Sequence, residues 1–286
     1  MSDSASIAAL TLYPIKSCAG IALTEATVST AGLSVGSIGD REWMVVNQRG
    51  EFVTQRQIPR MALIVPSING ESLMLNAPSQ APLLIPPRDF ALSAATTSVT
   101  VWGHTCNAFD EGDAAAAWFC AVLNQRVRLV RFDPAHQRLV NRERTAGKDG
   151  GIRSLNRFSD GYPFLAISEG SLTDLSKRLL EAGREALPMN RFRPNIVLSG
   201  LLPYEEDHLA RFSTALVDFV PVKPCPRCPI PSIDQATGER GPSPLDILQR
   251  YRERDEGIVF GQNVIVARGV GQRVTVGDAL TLELNF

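Results

Sequence analysis

The alternation of apolar and polar positions along this chain predicts many short strands and few helices. Ile7–Ile15 is an apolar run that closes on Pro14-Ile15-Lys16-Ser17. Glu42–Asn47 and Glu51–Gln55 flank Gln48-Arg49-Gly50, which reads as a hairpin turn. Leu63–Ile68 and Glu71–Asn76 flank Asn69-Gly70, the strongest short hairpin signal a sequence carries. Ser98–Trp102 alternates as a strand, and Arg126–Phe132, Asn195–Leu198, Ala215–Val222, Ile258–Val266 and Val274–Leu284 are strand-like too. Helical periodicity is rarer. Asp113–Leu123 is alanine-rich, with Trp118, Val122 and Leu123 as its expected buried face. Ser171-x-x-Asp174 reads as a capping box ahead of Leu172, Leu175, Leu179 and Leu180. Ser243-Pro244-Leu245-Asp246 repeats the start signal, with Pro244 expected at the first helical position.

This pattern predicts a mainly β, barrel-like architecture with a few peripheral helices. A chain of 286 residues is comfortable for two intimate domains. The polar, arginine-rich stretch Asp133–Arg157 places their boundary, giving expected units 1–132 and 133–286.

Charge narrows the function classes. With 29 basic and 30 acidic residues the net charge is −1, so no global field favours nucleic acid or a membrane surface. Any anion site must be a local cluster. The start, MSDSASIAAL, has no basic region followed by a long apolar run, so a cytoplasmic chain without a membrane anchor is expected. The cysteines at 18, 106, 120, 225 and 228 show no disulfide-framework spacing. No glycine-rich phosphate loop, G-x-S-x-G or H-E-x-x-H occurs.

One segment stands out. In Lys223-Pro224-Cys225-Pro226-Arg227-Cys228-Pro229 a thiol sits beside a cation, which favours the thiolate and therefore a soft metal. Prolines at 221, 224, 226, 229 and 231 predict a stiff loop without regular hydrogen bonding. As half of a zinc site, Cys225-x-x-Cys228 lacks a second Cys or His pair, and as a redox pair it lacks the helix that should follow; two inert thiols remain the plain alternative. Arg191-Phe192-Arg193-Pro194-Asn195 leads into a strand, where arginines can clamp phosphate and Asn195 offers donor and acceptor. Lys16-Ser17, Arg41 and the turn Ser159-Asp160-Gly161-Tyr162-Pro163 are, taken singly, ordinary loop features.

Taken together these segments resemble the MOSC proteins, named for the C-terminal domain of molybdenum cofactor sulfurase. Leu12-Tyr13-Pro14-Ile15-Lys16-Ser17-Cys18 with Asp40-Arg41 is similar to the family's N-terminal β-barrel. Asn190–Ile196, Arg227-Cys228 with Asp234 and Thr237-Gly238, and Phe260-Gly261-Gln262-Asn263 are similar to the MOSC domain itself. The resemblance is nearest to the amidoxime-reducing members. It implies a molybdenum-molybdopterin cofactor with the metal on the Cys228 thiolate, and cofactor contacts at Lys16, Ser17, Arg41, Asp160, Gly161, Tyr162, Arg193, Asn195, Pro226, Arg227 and Asn263. It implies reduction of N-hydroxylated small molecules, with Asp160 assisting proton delivery. The chain departs from the mitochondrial members at Pro226 (Ser there), Gly161-Tyr162 (Thr-Ser) and Asn263 (Tyr). No pyridoxal phosphate or iron–sulfur cluster is expected in this chain. Electrons are therefore expected from a separate donor protein: a flavoprotein, a ferredoxin-like protein or a b-type cytochrome. A non-catalytic cofactor carrier, or a sulfur carrier with a Cys228 persulfide, is the rival reading.

Overall fold

The computed structural model describes residues 5–90 and 95–285. The chain is mainly β, with four α-helices among the described residues: Gly112–Leu123, Arg142–Thr145, Glu169–Glu181 and Leu245–Arg252. A main sheet runs across the molecule in the order Ile21–Leu23, Ser6–Leu12, Ile196–Ser199, Phe164–Ser168, Gly257–Arg268, Asp218–Pro226, Leu209–Ser213, Thr281–Leu284. Within it Phe164–Ser168 and Ile196–Ser199 run parallel, and the other neighbours pair antiparallel. Parallel neighbours need a crossover, and the helix Glu169–Glu181 lies in it. Smaller sheets are built from Thr97–Val101, His104–Asp110, Val127–Phe132 and Trp43–Asn47, and from Arg273–Thr275, Glu25–Ser29, Gly32–Val35 and Ile38–Gly39.

The N-terminal strand is thus a full member of a sheet whose other long strands come from beyond residue 163. The core follows the same plan. Leu12, Trp43 and Phe119 share one buried cluster with Phe164, Phe212 and Phe219. Phe219 stacks on Phe212 with centroids 5.1 Å apart and meets Phe164 edge-on at 5.5 Å, favoured aromatic geometries.

Several local expectations change. The proline-rich stretch is, as far as Pro226, the end of a strand, Asp218–Pro226, and only Arg227, Cys228 and Pro229 form the irregular loop expected. Register shifts at Pro221/Lys223 and Pro224/Pro226 accommodate the prolines, because a bulge leaves a residue that owes the ladder no N–H. The strand expected at Ala215–Val222 therefore starts later and runs further. Val274–Leu284 divides into Arg273–Thr275 and Thr281–Leu284, which join different sheets around the left-handed Gly277. The cap of Glu169–Glu181 is Ser168, whose Oγ accepts the Ser171 N–H, so Ser171 lies inside the helix. Pro244 occupies the cap position of Leu245–Arg252, one residue earlier than expected. On Gly112–Leu123 the buried aromatic is Phe119, and Trp118 is only half-buried because its indole N–H reaches out to the Ala81 carbonyl.

Candidate functional site

A cleft lies where the first strand, the Phe164–Ser168 and Gly257–Arg268 strands, and the turn after Pro226 approach one another. Its lining includes all twelve residues singled out from the sequence: Lys16, Ser17, Arg41, Asp160, Gly161, Tyr162, Arg193, Asn195, Pro226, Arg227, Cys228 and Asn263. Each arrives by a local device.

The first strand ends at Leu12. The following bridge from Ile15 to Trp43 is sealed by the Lys16 N–H donating to the Trp43 carbonyl at 2.8 Å. Lys16 is thereby buried. Its ammonium donates to the Phe158 carbonyl at 2.8 Å and pairs with Asp160. Burial pulls the Lys16 ammonium below its ordinary range, and the Asp160 carboxylate opposes that. Desolvation pushes the Asp160 carboxyl up, yet the Lys16 charge and hydrogen bond and the Trp102 indole N–H at 2.8 Å hold it well below the usual carboxylate range. Asp160 is therefore a standing anion at the cleft mouth, with its side chain 70% exposed. It can accept a proton weakly and orient a cation, but it holds no proton to donate near neutral pH.

Arg41 is placed by its neighbour Asp40, a carboxylate to which the sequence assigned no role of its own. Asp40, 1% exposed, accepts from the Tyr13 N–H at 2.8 Å and the Asn195 amide at 3.0 Å, and pairs with the Arg41 guanidinium. Asn195 in turn accepts from Arg41 at 3.0 Å and from the Leu165 N–H at 3.2 Å, and donates to the Thr11 carbonyl at 3.1 Å. Its two donors and two lone pairs are all engaged by the protein, so it braces the cleft wall instead of offering a free amide edge. The Tyr13 ring carries two guanidiniums, Arg41 at 4.4 Å and Arg193 at 4.3 Å. Arg193 is 9% exposed and, among the described residues, no carboxylate or hydrogen-bond acceptor meets its side chain. Seven non-glycine residues among those described have left-handed φ; Ser17, Arg41 and Arg193 are three of them, at 66°, 45° and 59°. Such conformations cost about 1–3 kcal/mol each and concentrate where the fold fixes functional side chains.

The Arg227 guanidinium does not attend Cys228. It donates to the Cys225 sulfur at 3.2 Å and to the Phe192 carbonyl at 2.7 Å. Burial pushes the Cys225 thiol up while Arg227 works against that. Cys228 is half-buried on the cleft lining. Among the described residues no three His, Cys, Asp or Glu side chains gather into a metal cage. A metal here would need most of its ligands from the group that carries it.

Residues 4–126 match the profile described as the MOSC N-terminal beta barrel domain, and residues 154–281 match the MOSC domain. The chain is 36% identical to mitochondrial amidoxime-reducing component 1 of Homo sapiens, over 96% of this chain and 82% of the relative. The chain belongs to the MOSC family. It is also 34% identical to mitochondrial amidoxime reducing component 2 of Rattus norvegicus, over 86% of this chain and 72% of that protein. Molybdenum cofactor sulfurase of Bos taurus is 31% identical over 86% of this chain, which corresponds to 28% of that much longer protein.

The MOSC cleft also uses residues that carry no sequence signal. Arg138 is buried and donates to the carbonyls of Arg157 at 3.0 Å, Ser159 at 2.6 Å and Asp160 at 3.0 Å, which fixes the turn that presents Asp160 and Gly161. Gln55 donates to the Ser17 carbonyl at 2.8 Å and exchanges hydrogen bonds with Gln235 at 3.1 and 3.0 Å. Gln235 lies in the turn that Asp234 closes by accepting the Ala236 and Thr237 N–H groups, and Arg191 pairs with Asp234 at 2.7 Å. Trp102, at a hairpin tip with φ 49°, could not be connected with Asp160 by any spacing rule. No helix among the described residues is long and apolar enough to cross a membrane.

Proposed function

We propose that this chain is a molybdenum-cofactor-dependent reductase of N-hydroxylated small molecules such as hydroxylamines, amidoximes and N-hydroxylated bases. One observation carries the reading: Arg193 is a nine-tenths-buried guanidinium that no carboxylate meets among the described residues, in a cleft it shares with Lys16, Arg41, Arg227 and a thiol. The two carboxylates in contact with these cations, Asp40 and Asp160, leave an excess of positive charge. A buried cation without a counter-ion is costly, so the arrangement makes sense when an anionic group completes it. Molybdopterin brings a phosphate for the guanidiniums, a pterin edge for backbone and amide partners, and sulfur ligands that leave the metal room for one protein thiolate. The donor set fits that group, and the names of the relatives support it.

When bound, the cofactor supplies the two-electron chemistry that exchanges an N–O bond for water. The residues of the chain do the rest. Cys228 would hold the metal. Arg193, Arg41 and Lys16 would bind the phosphate end, and Arg227 would stay anchored on Cys225 and Phe192 while its backbone N–H holds the Ile258 carbonyl at 2.8 Å. Asp160, kept ionised by Lys16 and Trp102, would orient a cationic substrate nitrogen or the pterin N–H groups at the cleft mouth. Each turnover consumes two electrons and two protons and releases water. The electrons would come from a separate donor protein, and with units 1–132 and 133–286 the site would lie between the two.

The test is turnover of an amidoxime by molybdenum-loaded protein with reduced viologen. Activity is expected there, none is expected with NADH alone, and Cys228→Ala should abolish it. Robust NADH-driven reduction by the isolated chain would overturn the need for a donor. Molybdenum-loaded protein inert with every reductant would favour the carrier reading.

A further inference from the structure

Beside the cleft, on the outer face of the main sheet, lies a second hollow of about 690 Å³, within the 300–1,000 Å³ usual for small-ligand sites. The first strand alternates: Leu10 and Leu12 enter the core, so Ala9, Thr11 and Tyr13 face outward along the floor of this hollow. Ala22, paired with Thr11 on the edge strand, and Val197 extend the floor, and Leu172 of the helix Glu169–Glu181 forms a wall. Gly20 keeps the space open, since a Cβ there would meet the Thr11 methyl at 2.5 Å and the Tyr13 ring at 2.6 Å. The hollow has one charged inner end, where Arg193 rests on Tyr13, and one acid, Glu169, on its helical wall.

We propose that this hollow is a second ligand site, for a monocarboxylate with an aliphatic body. The carboxylate would take the free N–H groups of Arg193 and the chain would lie along Ala9, Ala22 and Val197. A guanidinium fork matches a carboxylate in a bidentate fashion, and its five donors allow it to serve both the hollow and the cleft. A single cation suits a single charge, and Glu169 disfavours a second carboxylate along the chain. The reach from Tyr13 back to Ala9 is four residues, about 13 Å at ~3.3 Å per residue, enough for an extended eight-carbon chain to lie within it. The small side chains of the floor leave width for methylenes.

The inference goes beyond the reductase reading and shares Arg193 with it, so the test separates the two. Octanoate is titrated calorimetrically into the purified full-length chain, and molybdenum is measured in the same preparations. Saturable one-site binding is expected. Ala22→Trp, at an exposed edge position, should fill the hollow and abolish octanoate binding while molybdenum content stays unchanged. Arg193→Met should weaken octanoate roughly ten- to a hundredfold, the loss of a charge-assisted hydrogen bond. Octan-1-ol should bind far more weakly than octanoate. The proposal is overturned by absence of saturable binding to the unmodified chain, by binding that survives Ala22→Trp, or by equal binding of octan-1-ol. Inorganic phosphate displacing octanoate with higher affinity would overturn the choice of a carboxylate. Normal octanoate binding by protein that never takes up molybdenum would leave this site standing and remove the reductase reading.

Discussion

Asp40→Ala is the substitution whose consequence follows most directly from the geometry. The carboxylate is 1% exposed and holds three groups at once: the Tyr13 N–H, the Asn195 amide and the Arg41 guanidinium. Breaking a buried ion pair from one side costs about 3–5 kcal/mol. Here the Arg41 side chain is 14% exposed on the cleft, so water reaches part of it and the low end applies. The Tyr13 N–H has no such relief, and an orphaned buried donor costs about 1–3 kcal/mol. The two losses overlap, and about 4 kcal/mol is a fair sum. For a chain of this size each kcal/mol shifts Tm by roughly 2 °C, so Tm should fall by about 8 °C. Asp40→Asn keeps an acceptor for Tyr13 but turns an amide N–H toward Arg41, and should fall between the two. The assay is calorimetric unfolding of cofactor-free protein, because a bound ligand would raise Tm by mass action. A Tm for Asp40→Ala within about 1 °C of the unmodified chain would refute the claim that this carboxylate organises the cleft.

Two further outcomes follow from single residues. Gly261 has φ 79°, and a Cβ there would lie 2.8 Å from the Ala166 carbonyl oxygen, so Gly261→Ala should cost about 1–3 kcal/mol and lower the urea midpoint; an unchanged midpoint contradicts this. The folded-state Asp160 carboxyl lies below its unfolded value of about 3.9, so its contribution is present above that pH and is lost as pH falls through the folded value. Asp160→Asn should therefore lower Tm at neutral pH and flatten the acid limb of the Tm–pH curve, and two parallel curves would count against the ion pair with Lys16.

The parts of the molecule legible in the sequence were those that need only local rules. A hairpin forms where Asn69-Gly70 predicts one, but one residue further on: Asn69 pairs with Ser72, so Gly70-Glu71 turn between Val65–Asn69 and Ser72–Asn76. The helix Gly112–Leu123 falls almost where alanine content put it. The part of the strand Asp218–Pro226 beyond Val222 was hidden because its prolines are tolerated only through bulges, which depend on the partner strand. For the site, basic residues and a thiol in recognisable strings identified the lining. The braces did not show: Asp40, Arg138 and Gln55 act on groups 27, 19–22 and 38 positions away, and burial alone turns an ordinary Asp or Gln into a necessary one. The Arg227 guanidinium was read as the partner of Cys228 by adjacency. Side chains of neighbouring residues on an extended segment point to opposite sides, and the chain instead brings Arg227 back onto Cys225, two residues earlier.

The central claim is that one thiol, Cys228, holds a metal that the rest of the cleft presents on an anionic cofactor. Elemental analysis of protein expressed in a molybdenum-cofactor-competent host tests it most directly. Stoichiometric molybdenum is expected in the unmodified chain, largely retained in Cys225→Ala and lost in Cys228→Ala, with all three proteins folded by circular dichroism. Equal molybdenum in Cys228→Ala and the unmodified chain, or equal loss in both cysteine variants, would contradict the single-thiolate account.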